Sequence, residues 1–165
     1  MTPRTFDPVH ILRRLAAHGV QYVLVGGMAA KAHGSPTLTV DLDICPARDR
    51  ENLERLGNLL GEAGARLRDA PADVPFHPDR RTLERVELLT LVTDYGDLDV
   101  LMTPAGVGGF AQLDANAFAA ELDDGLVVRV ASLDDLIAMK RAAGRPKDRV
   151  ELEILGALRD EVEGS

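Results

Sequence analysis

The most restrictive feature of the sequence is a pair of acids inside an apolar segment, residues 40–44, where Asp41 and Asp43 alternate with Val, Leu and Ile. Acids are poor strand formers, yet this alternation is that of a β-strand. A strand directs both carboxylates to one face, roughly 7 Å apart. Like charges this close repel unless a cation lies between them, and such oxygen ligands suit Mg²⁺ or Mn²⁺. Alone, the pair fits equally well a half-exposed strand whose acids face water.

A second apolar segment carries another acid. Asp99 lies between two apolar residues in a predicted strand, residues 98–102. If the two strands are neighbours, Asp99 completes a cage of three carboxylates with Asp41 and Asp43. Asp97 lies on the same face and is the competing candidate. We favour Asp99, because Asp97 falls within a predicted turn, where a carboxylate is solvated or forms turn hydrogen bonds.

Two glycines precede the first acidic segment. Gly26 and Gly27 join a predicted buried strand, residues 20–25, to a predicted helix, residues 28–33. Glycine lets backbone amides approach a ligand closely, and the free N–H groups of a helix start attract phosphate. A lone pair of glycines usually marks only a turn, so this pair gains meaning from the acids that follow it.

Hydrophobic periodicity predicts alternating strands and helices with a helical C-terminal end. Besides the segments above, it predicts helices at residues 8–18, 52–63, 132–143 and 147–162, and strands at residues 37–45, 86–93 and 126–130. Residues 94–97 are predicted to form a hairpin turn, residues 66–81 a loop, and residues 110–122 are ambiguous, with a short helix as one interpretation. The prediction is one α/β domain, residues 1–165, with a mixed β-sheet flanked by helices.

Composition excludes several classes of protein. The 165 residues have 45% hydrophobic and 28% charged side chains, which is typical of a globular domain that buries a core. No apolar run is long enough to span a membrane, and residues 1–8 lack the pattern of a signal peptide. The single cysteine, Cys45, excludes an internal disulfide and is predicted to be a small core residue. We therefore expect a soluble, cytoplasmic protein.

Charge is unevenly distributed along this acidic chain, whose net charge is −8. That net charge argues against non-specific coating of nucleic acid. A short basic segment nevertheless stands out, with Asp148 as its only acid: Lys140, Arg141, Arg145, Lys147 and Arg149. Such a patch can meet a phosphate-bearing partner, although a solvated helix end and loop explain it as well.

The order of these motifs resembles the nucleotidyltransferase superfamily. In details it is most similar to the minimal bacterial and archaeal members, including the AbiEii toxin-like branch. The resemblance rests on residues 26–34 (GGMAAKAHG), 39–43 (TVDLD) and 135–148 (DLIAMKRAAGRPKD), and it extends from about residue 22 to residue 155. It implies the nucleotidyltransferase fold.

The resemblance also implies an activity: metal-dependent transfer of a nucleoside monophosphate from a nucleoside triphosphate (NTP) to an acceptor hydroxyl, with release of pyrophosphate. Gly26 and Gly27 would hold the triphosphate. Asp41 and Asp43 would bind Mg²⁺ or Mn²⁺, and Asp99 would bind the catalytic metal and help to activate the hydroxyl. The acceptor would be a tRNA, another RNA or a protein, and the enzyme would be the toxin-like partner of an antitoxin protein.

Lys140 is assigned by the same resemblance to a phosphate oxygen, as a compact point charge. Helical spacing puts it on one stripe with Leu133, Leu136 and Ile137, at the core-facing edge of its helix. The alternative is an ordinary surface lysine late in an amphipathic helix. Arg145 and Lys147 are predicted to face a nucleic-acid acceptor.

Two departures from the family pattern support a second hypothesis. Many relatives have Ser where this chain has Gly27, and relatives of this branch often have Arg where it has Thr37. A phosphate-binding hydroxyl and a guanidinium are therefore missing. The alternative function is a catalytically weak nucleotide-binding or partner-binding module that keeps the fold, because one fold serves many functions.

Overall fold

The computed structural model describes residues 5–71 and 73–164 of the chain. Residues 1–4, which belong to the segment predicted to lack a signal peptide, lie outside this part. Within the described residues, the strands are β1 (Tyr22–Val25), β2 (Asp41–Pro46), β3 (Arg66–Leu67), β4 (Leu88–Thr93), β5 (Gly96–Leu101), β6 (Phe118–Asp123) and β7 (Leu126–Val130). The helices there are α1 (Pro8–Ala17), α2 (Gly26–Ala32), α3 (Arg50–Glu62), α4 (Arg80–Glu84), α5 (Phe110–Asn116), α6 (Leu133–Ala143) and α7 (Asp148–Glu163). None of these helices is both long and apolar enough to cross a membrane.

The strands form one mixed sheet in the order β3-β4-β5-β2-β1-β7-β6. Strand β2 runs parallel to β5, and β1 runs parallel to β7, whereas the other neighbouring pairs are antiparallel. The chain ends in two helices, α6 and α7, which pack against each other. The predicted mixed α/β architecture with a helical C-terminal end is thus confirmed.

Apolar side chains from both the sheet and the helices form the core. The leucines of α3 recur at the spacing of one helical face, and that face is buried, as predicted. The largest fully buried side chains of α3 and the central strands are Leu53, Leu56, Leu59, Leu60, Leu24, Leu42, Ile44, Leu91 and Leu98. Cys45 is a buried free thiol within the same cluster, which confirms the prediction for it.

The bounds of α1 and α6 lie close to the predicted ranges, and capping residues mark both helices. Asp7 caps α1 and Ser132 caps α6, each through a side-chain oxygen that accepts a backbone N–H. Gly19 and Gly144 follow α1 and α6 in the left-handed conformation, with φ of 68° and 62°. These local signals determine where the chain turns out of the helices that flank the sheet.

The predicted strand at residues 37–45 begins later than expected, at Asp41. The sequence alternates over its whole length, but residues 37–40 run beyond the end of β1, which pairs with β2 only from Val25 opposite Asp43 onward. Strand β5 pairs with β2 only from Asp97 opposite Asp41. Residues 37–40 therefore lie outside the strand, and Leu38 is 91% exposed.

Two predictions made from weak local patterns are wrong in part. Residues 66–81 are not all loop: β3 pairs with β4 at their start, and α4 begins at Arg80, capped by Asp79. Residues 110–122 hold the short helix α5 and then the edge strand β6, which pairs with β7. Strand β3 has only two residues and a partner more than twenty residues away, so no local periodicity marks it. Strand β6 forms a hairpin with β7 through Asp124-Gly125, a turn signal that was overlooked.

The start of α3 is joined to the sheet by one buried polar side chain. Asn52 is only 1% exposed. Its Nδ2 donates to the carbonyl oxygens of Gln21 at 2.9 Å and Ala47 at 2.8 Å, and its Oδ1 accepts from the N–H of Gln21 at 2.7 Å. These bonds connect the chain before β1 with the chain after β2, and thereby fix the two strands relative to α3.

Asn52→Ala should lower the free energy of unfolding by about 2–4 kcal/mol, because it leaves buried backbone groups without partners. Urea unfolding followed by circular dichroism measures this change. Asn58→Ala, in an exposed position of the same helix, is the control and should change stability by less than about 0.5 kcal/mol. Equal effects of the two substitutions would contradict the proposed importance of this network.

Candidate active site

The pairing register of β2 and β5 brings the predicted acids together. Asp43 lies directly opposite Asp99, and Asp41 lies opposite Asp97. One carboxylate oxygen from each of Asp41, Asp43 and Asp99 lies within 4.8 Å of the others. Among the residues that the structure describes, no other group of three or more His, Cys, Asp or Glu side chains converges in this way. The parallel strand pair therefore forms an acidic cluster, which we call the three-aspartate site.

Asp97 does not lie in the hairpin turn, contrary to the prediction. The turn consists of Asp94 and Tyr95 alone, and β5 already begins at Gly96. The side chain of Asp97 contacts Arg68, with 3.3 Å between Oδ2 and Nε. The reason given for preferring Asp99 was thus wrong, although it is Asp99 whose oxygen approaches those of the other two aspartates.

Burial and like charge disturb the titration of this cluster. Burial, and after it the charges of Asp41 and Asp99, raise the pKa of Asp43 to about 8. Burial also raises the pKa of Asp99, and the nearby Arg68 guanidinium only partly offsets this effect. The charge of Asp41 acts on both groups and raises the pKa of Asp99 as well as that of Asp43.

The donor set of the three-aspartate site fits a divalent cation. Hard cations such as Mg²⁺ and Mn²⁺ prefer carboxylate oxygens, and a bound cation would offset the repulsion among the three carboxylates. The cluster has no histidine or thiolate ligand, which disfavours a zinc site. The raised pKa of Asp43 reflects burial and repulsion from Asp41 and Asp99, which the charge of Lys140 only partly offsets.

The two predicted glycines pack against the acidic strand. Helix α2 begins at Gly26 itself, earlier than predicted. Gly26 has φ of 68°, and a Cβ there would overlap the Asp43 carboxylate. A Cβ on Gly27 would lie 2.9 Å from the hydroxyl oxygen of Thr39. Both positions thus need glycine so that the first turn of α2 can approach β2 closely.

Lys140 lies beside the aspartates and is held by a buried acid. On α6, Leu136 and Ile137 are buried, and the Lys140 side chain is 24% exposed, at the core-facing edge that spacing predicts. Its Nζ lies 3.1 Å from Oδ1 of Asp148, and Nε of Arg145 lies 2.8 Å from Oδ2 of the same residue. Asp148 was not predicted as a site residue, although its position as the only acid in a basic segment was a usable signal.

The buried acid Asp148 is ionised because of these two partners. Burial alone would raise the pKa of Asp148, but hydrogen bonds from Arg145 and Lys140 outweigh burial and lower the pKa. The ion pairs fix the start of α7 against the end of α6. They also keep the charge of Lys140 near Asp43, whose carboxylate form that charge favours.

Arg68 was missed because it lies in the predicted loop. Its Nη2 donates to Oδ1 of Asp99 at 2.7 Å and to the carbonyl oxygen of Leu91 at 2.8 Å. Its Nε is buried without a hydrogen-bond partner, so the 3.3 Å contact with Asp97 is an ion pair without hydrogen-bond geometry. No local pattern predicts that this arginine reaches across β4 to the acids.

These residues surround a cavity of about 550 Å³, a size typical of small-molecule sites. Its lining includes the three aspartates, both glycines and the basic residues Lys140, Arg145 and Lys147. Apolar side chains line its rim, of which Leu38, Val40 and Leu88 are 91%, 73% and 54% exposed. A larger depression of about 820 Å³, lined by residues of α3 and α4, lies away from the aspartates.

Three acids on two neighbouring strands, beside a glycine turn that opens a helix, are typical of nucleotidyltransferases. The chain belongs to the AbiEii family, because its residues 10–160 match the model for "Nucleotidyl transferase AbiEii toxin, Type IV TA system". The family resemblance inferred from the sequence is thus confirmed. No curated protein matches the chain in sequence.

Solved structures of the antibiotic-resistance factor ANT(2'')-Ia are similar in fold. The solution structure has a TM-score of 0.55 at 17% identity, over 94% of this chain and 89% of that protein. The crystal structure of ANT(2'')-Ia in complex with adenylyl-2''-tobramycin has a TM-score of 0.55 at 16% identity, over 95% of each chain. At this identity the likeness shows the fold alone, and it confirms the predicted nucleotidyltransferase fold.

Without metal, the wild-type protein should lose stability relative to Asp43→Asn as pH rises from about 4 to about 8. The pKa of Asp43 is about 8 in the folded protein and about 3.9 in an unfolded chain, so the folded state binds more protons in this interval. Its stabilising contribution is complete below pH 4 and is lost as pH rises through 8. By pH 8 the variant should be the more stable protein, by at least about 1 kcal/mol.

Urea unfolding in EDTA at several pH values measures this difference. Asp73→Asn, at an exposed position, is the matched control and should follow the wild type across the range. A wild-type protein that gains stability over Asp43→Asn as pH rises would contradict the raised pKa.

Proposed function

We propose that the chain is a metal-dependent nucleotidyltransferase that transfers a nucleoside monophosphate from an NTP to an acceptor hydroxyl on RNA or protein. The observation that carries this proposal is the convergence of Asp41, Asp43 and Asp99 within 4.8 Å in a cavity also lined by Gly26 and Lys140. Membership of a nucleotidyltransferase toxin family supports it. The transfer releases pyrophosphate.

Asp41, Asp43 and Asp99 are the residues that would hold Mg²⁺ or Mn²⁺. When bound, the cation supplies Lewis-acid stabilisation of negative charge on the attacking and leaving oxygens of the phosphoryl group. The donor chemistry supports this assignment, because all three ligands are carboxylates and none is a thiolate or imidazole.

The other residues of the cavity bind and orient the NTP in this proposal. The first backbone N–H groups of α2, beginning at Gly26 and Gly27, have no partners within the helix and would donate to phosphate oxygens. Lys140 would contribute a positive charge to the triphosphate. Its side chain already lines the cavity, and its bond to Asp148 keeps the ammonium group oriented there.

The reaction itself is an in-line displacement at the α-phosphorus. A bond forms between the acceptor oxygen and that phosphorus, and the bond from phosphorus to the bridging oxygen of pyrophosphate breaks. Asp99 would take up the hydroxyl proton, which requires its carboxylate form. Arg68 favours that form by its 2.7 Å hydrogen bond to Oδ1 of Asp99.

We propose that the acceptor is a nucleic acid, with tRNA as a candidate, and that the protein acts in the cytoplasm as a toxin neutralised by an antitoxin protein. Support comes from the family description and from the exposed cations Arg145 and Lys147 at the same cavity. A protein hydroxyl is the other acceptor class. The fold also accommodates small acceptors, since ANT(2'')-Ia was crystallised with adenylyl-2''-tobramycin.

A catalytically weak nucleotide-binding or partner-binding module is the second candidate. It is favoured by Gly27 and Thr37, which depart from the Ser and Arg that the family resemblance implies at these positions. Thermal unfolding with Mn²⁺ and each of the four NTPs separates the two candidates when combined with a transfer assay. An NTP that stabilises the protein without being consumed would favour the second.

Asp43→Asn should abolish nucleotide transfer while the fold persists, because the variant loses one cation ligand and one like charge. The assay follows α-³²P label from each NTP into RNA and into protein, together with pyrophosphate release. Asp73→Asn removes the same charge from an exposed position and should retain full activity. Retained transfer in Asp43→Asn would show that the reaction does not need this carboxylate. A large fall in the melting temperature would show that Asp43 is a structural hydrogen-bonding residue.

If the acceptor is a nucleic acid, its binding should weaken steeply with salt, and Lys147→Ala and Arg145→Ala should each lower the slope of log K against log salt by about one. Arg141→Ala is the control, because Arg141 is exposed and is not among the residues that line the cavity. Fluorescence anisotropy with labelled RNA over a salt series measures the slopes. Binding that is indifferent to salt would indicate a protein or small-molecule acceptor.

A further inference from the structure

We propose that Arg68 is the resident counter-ion of the three-aspartate site and that its charge weakens the binding of a divalent cation there. The inference rests on the metal site of the proposed function. It assigns to Arg68 a part in determining the cation affinity, which none of the sequence motifs indicates.

The sheet register places Arg68 in line with the acids. Strand β3 pairs with β4 up to Leu67 opposite Leu91, and the N–H of Arg68 extends this ladder by donating to the carbonyl oxygen of Thr90 at 2.9 Å. Thr90 lies opposite Asp99. Residues directly opposite one another share a face of the sheet, so Arg68 and Asp99 lie on the same face with β4 between them.

Two hydrogen bonds hold the guanidinium group of Arg68 beside Asp99. Nη2 binds both Oδ1 of Asp99 and the carbonyl oxygen of Leu91, and the side chain is only 22% exposed. Arg68 lines a separate depression beside β3 and β4. It therefore approaches Asp99 from outside the cavity in which the substrate would bind.

The charges that surround Arg68 indicate that it acts as a counter-ion and does not aid metal binding. Asp41, Asp43, Asp97 and Asp99 occupy facing positions on β2 and β5, and Arg68 forms ion pairs with two of them. A positive charge in direct contact with a cation ligand repels an incoming divalent cation through a partly buried medium, where screening is weak. Orientation of Asp99 by the same bond acts in the opposite direction, and we expect the full charge to outweigh it.

Three variants separate charge from position. Arg68→Gln keeps a hydrogen-bond donor and loses the charge, whereas Arg68→Lys keeps the charge and loses the planar guanidinium group. Arg66→Gln is the matched control, because Arg66 is an exposed residue two positions earlier on the same face and forms no ion pair with a described residue. Arg68→Met is a second neutral variant in case Arg68→Gln does not fold.

The experiment measures Mn²⁺ binding to nucleotide-free protein by the electron paramagnetic resonance signal of free Mn²⁺. For Arg68→Gln we expect a Kd at least about tenfold lower than the wild-type value, with Arg68→Lys and Arg66→Gln near the wild type. In EDTA the melting temperature of Arg68→Gln should fall, and Mn²⁺ should then raise it by more than it raises the wild type. Asp43→Asn in each background should abolish the tight site.

Each outcome decides one of the two proposals. Unchanged or weaker Mn²⁺ binding in Arg68→Gln would overturn the role of Arg68 and leave the metal site standing. If neither the wild type nor Arg68→Gln binds Mn²⁺ saturably, the metal site of the proposed function is overturned. The counter-ion role of Arg68 is then overturned as well.

Discussion

Repulsion among three aspartates held on two adjacent strands is the constraint on which the rest of the site depends. The parallel pairing of β2 with β5 fixes Asp43 opposite Asp99, so these carboxylates cannot separate without loss of the central ladder. The fold must therefore compensate the charge. It does so in part with the charges of Arg68 and Lys140, which oppose the rise in the pKa of Asp99 and of Asp43 respectively. A bound cation or substrate would alter this balance.

The side chains of Arg68 and Lys140 are held by different partners, and this difference indicates different roles for the two residues. Arg68 is bound to the carbonyl oxygen of Leu91 and to Asp99, a ligand of the proposed cation. Its positive charge therefore stays beside the site whether or not substrate is bound. Lys140 is bound to the buried carboxylate of Asp148, which also binds Arg145. Because Arg145 can continue to compensate Asp148, Lys140 can turn toward a phosphate without leaving a buried charge unpaired.

The acidic strands, the glycine turn and the capped helices were predictable because each depends on residues close in sequence. Alternation identified Asp41, Asp43 and Asp99, and Ser132 and Gly144 marked the ends of α6 correctly. Arg68 and the edge strand β3 were not predictable, because their partners lie far away along the chain. Strand β6 was missed although its hairpin turn to β7, Asp124-Gly125, is a local signal. The error about Asp97 had the same origin: the hairpin turn is shorter than its polar sequence suggests, since pairing with β4 and β2 continues through Asp97.

The lining of the cavity restricts the kind of molecule that can satisfy it. An acidic floor requires a cation, the basic side chains at α6 and the start of α7 require an anion, and the exposed Leu38, Val40 and Leu88 at the rim offer apolar contact. Free phosphate would leave the apolar side chains of the rim exposed to solvent, and an apolar ligand would leave Lys140 and the aspartates without partners of opposite charge. The metal-bound nucleoside triphosphate of the proposed function would meet all three demands, because its base is apolar on both faces and its phosphates carry the negative charge that the cation and the basic side chains require.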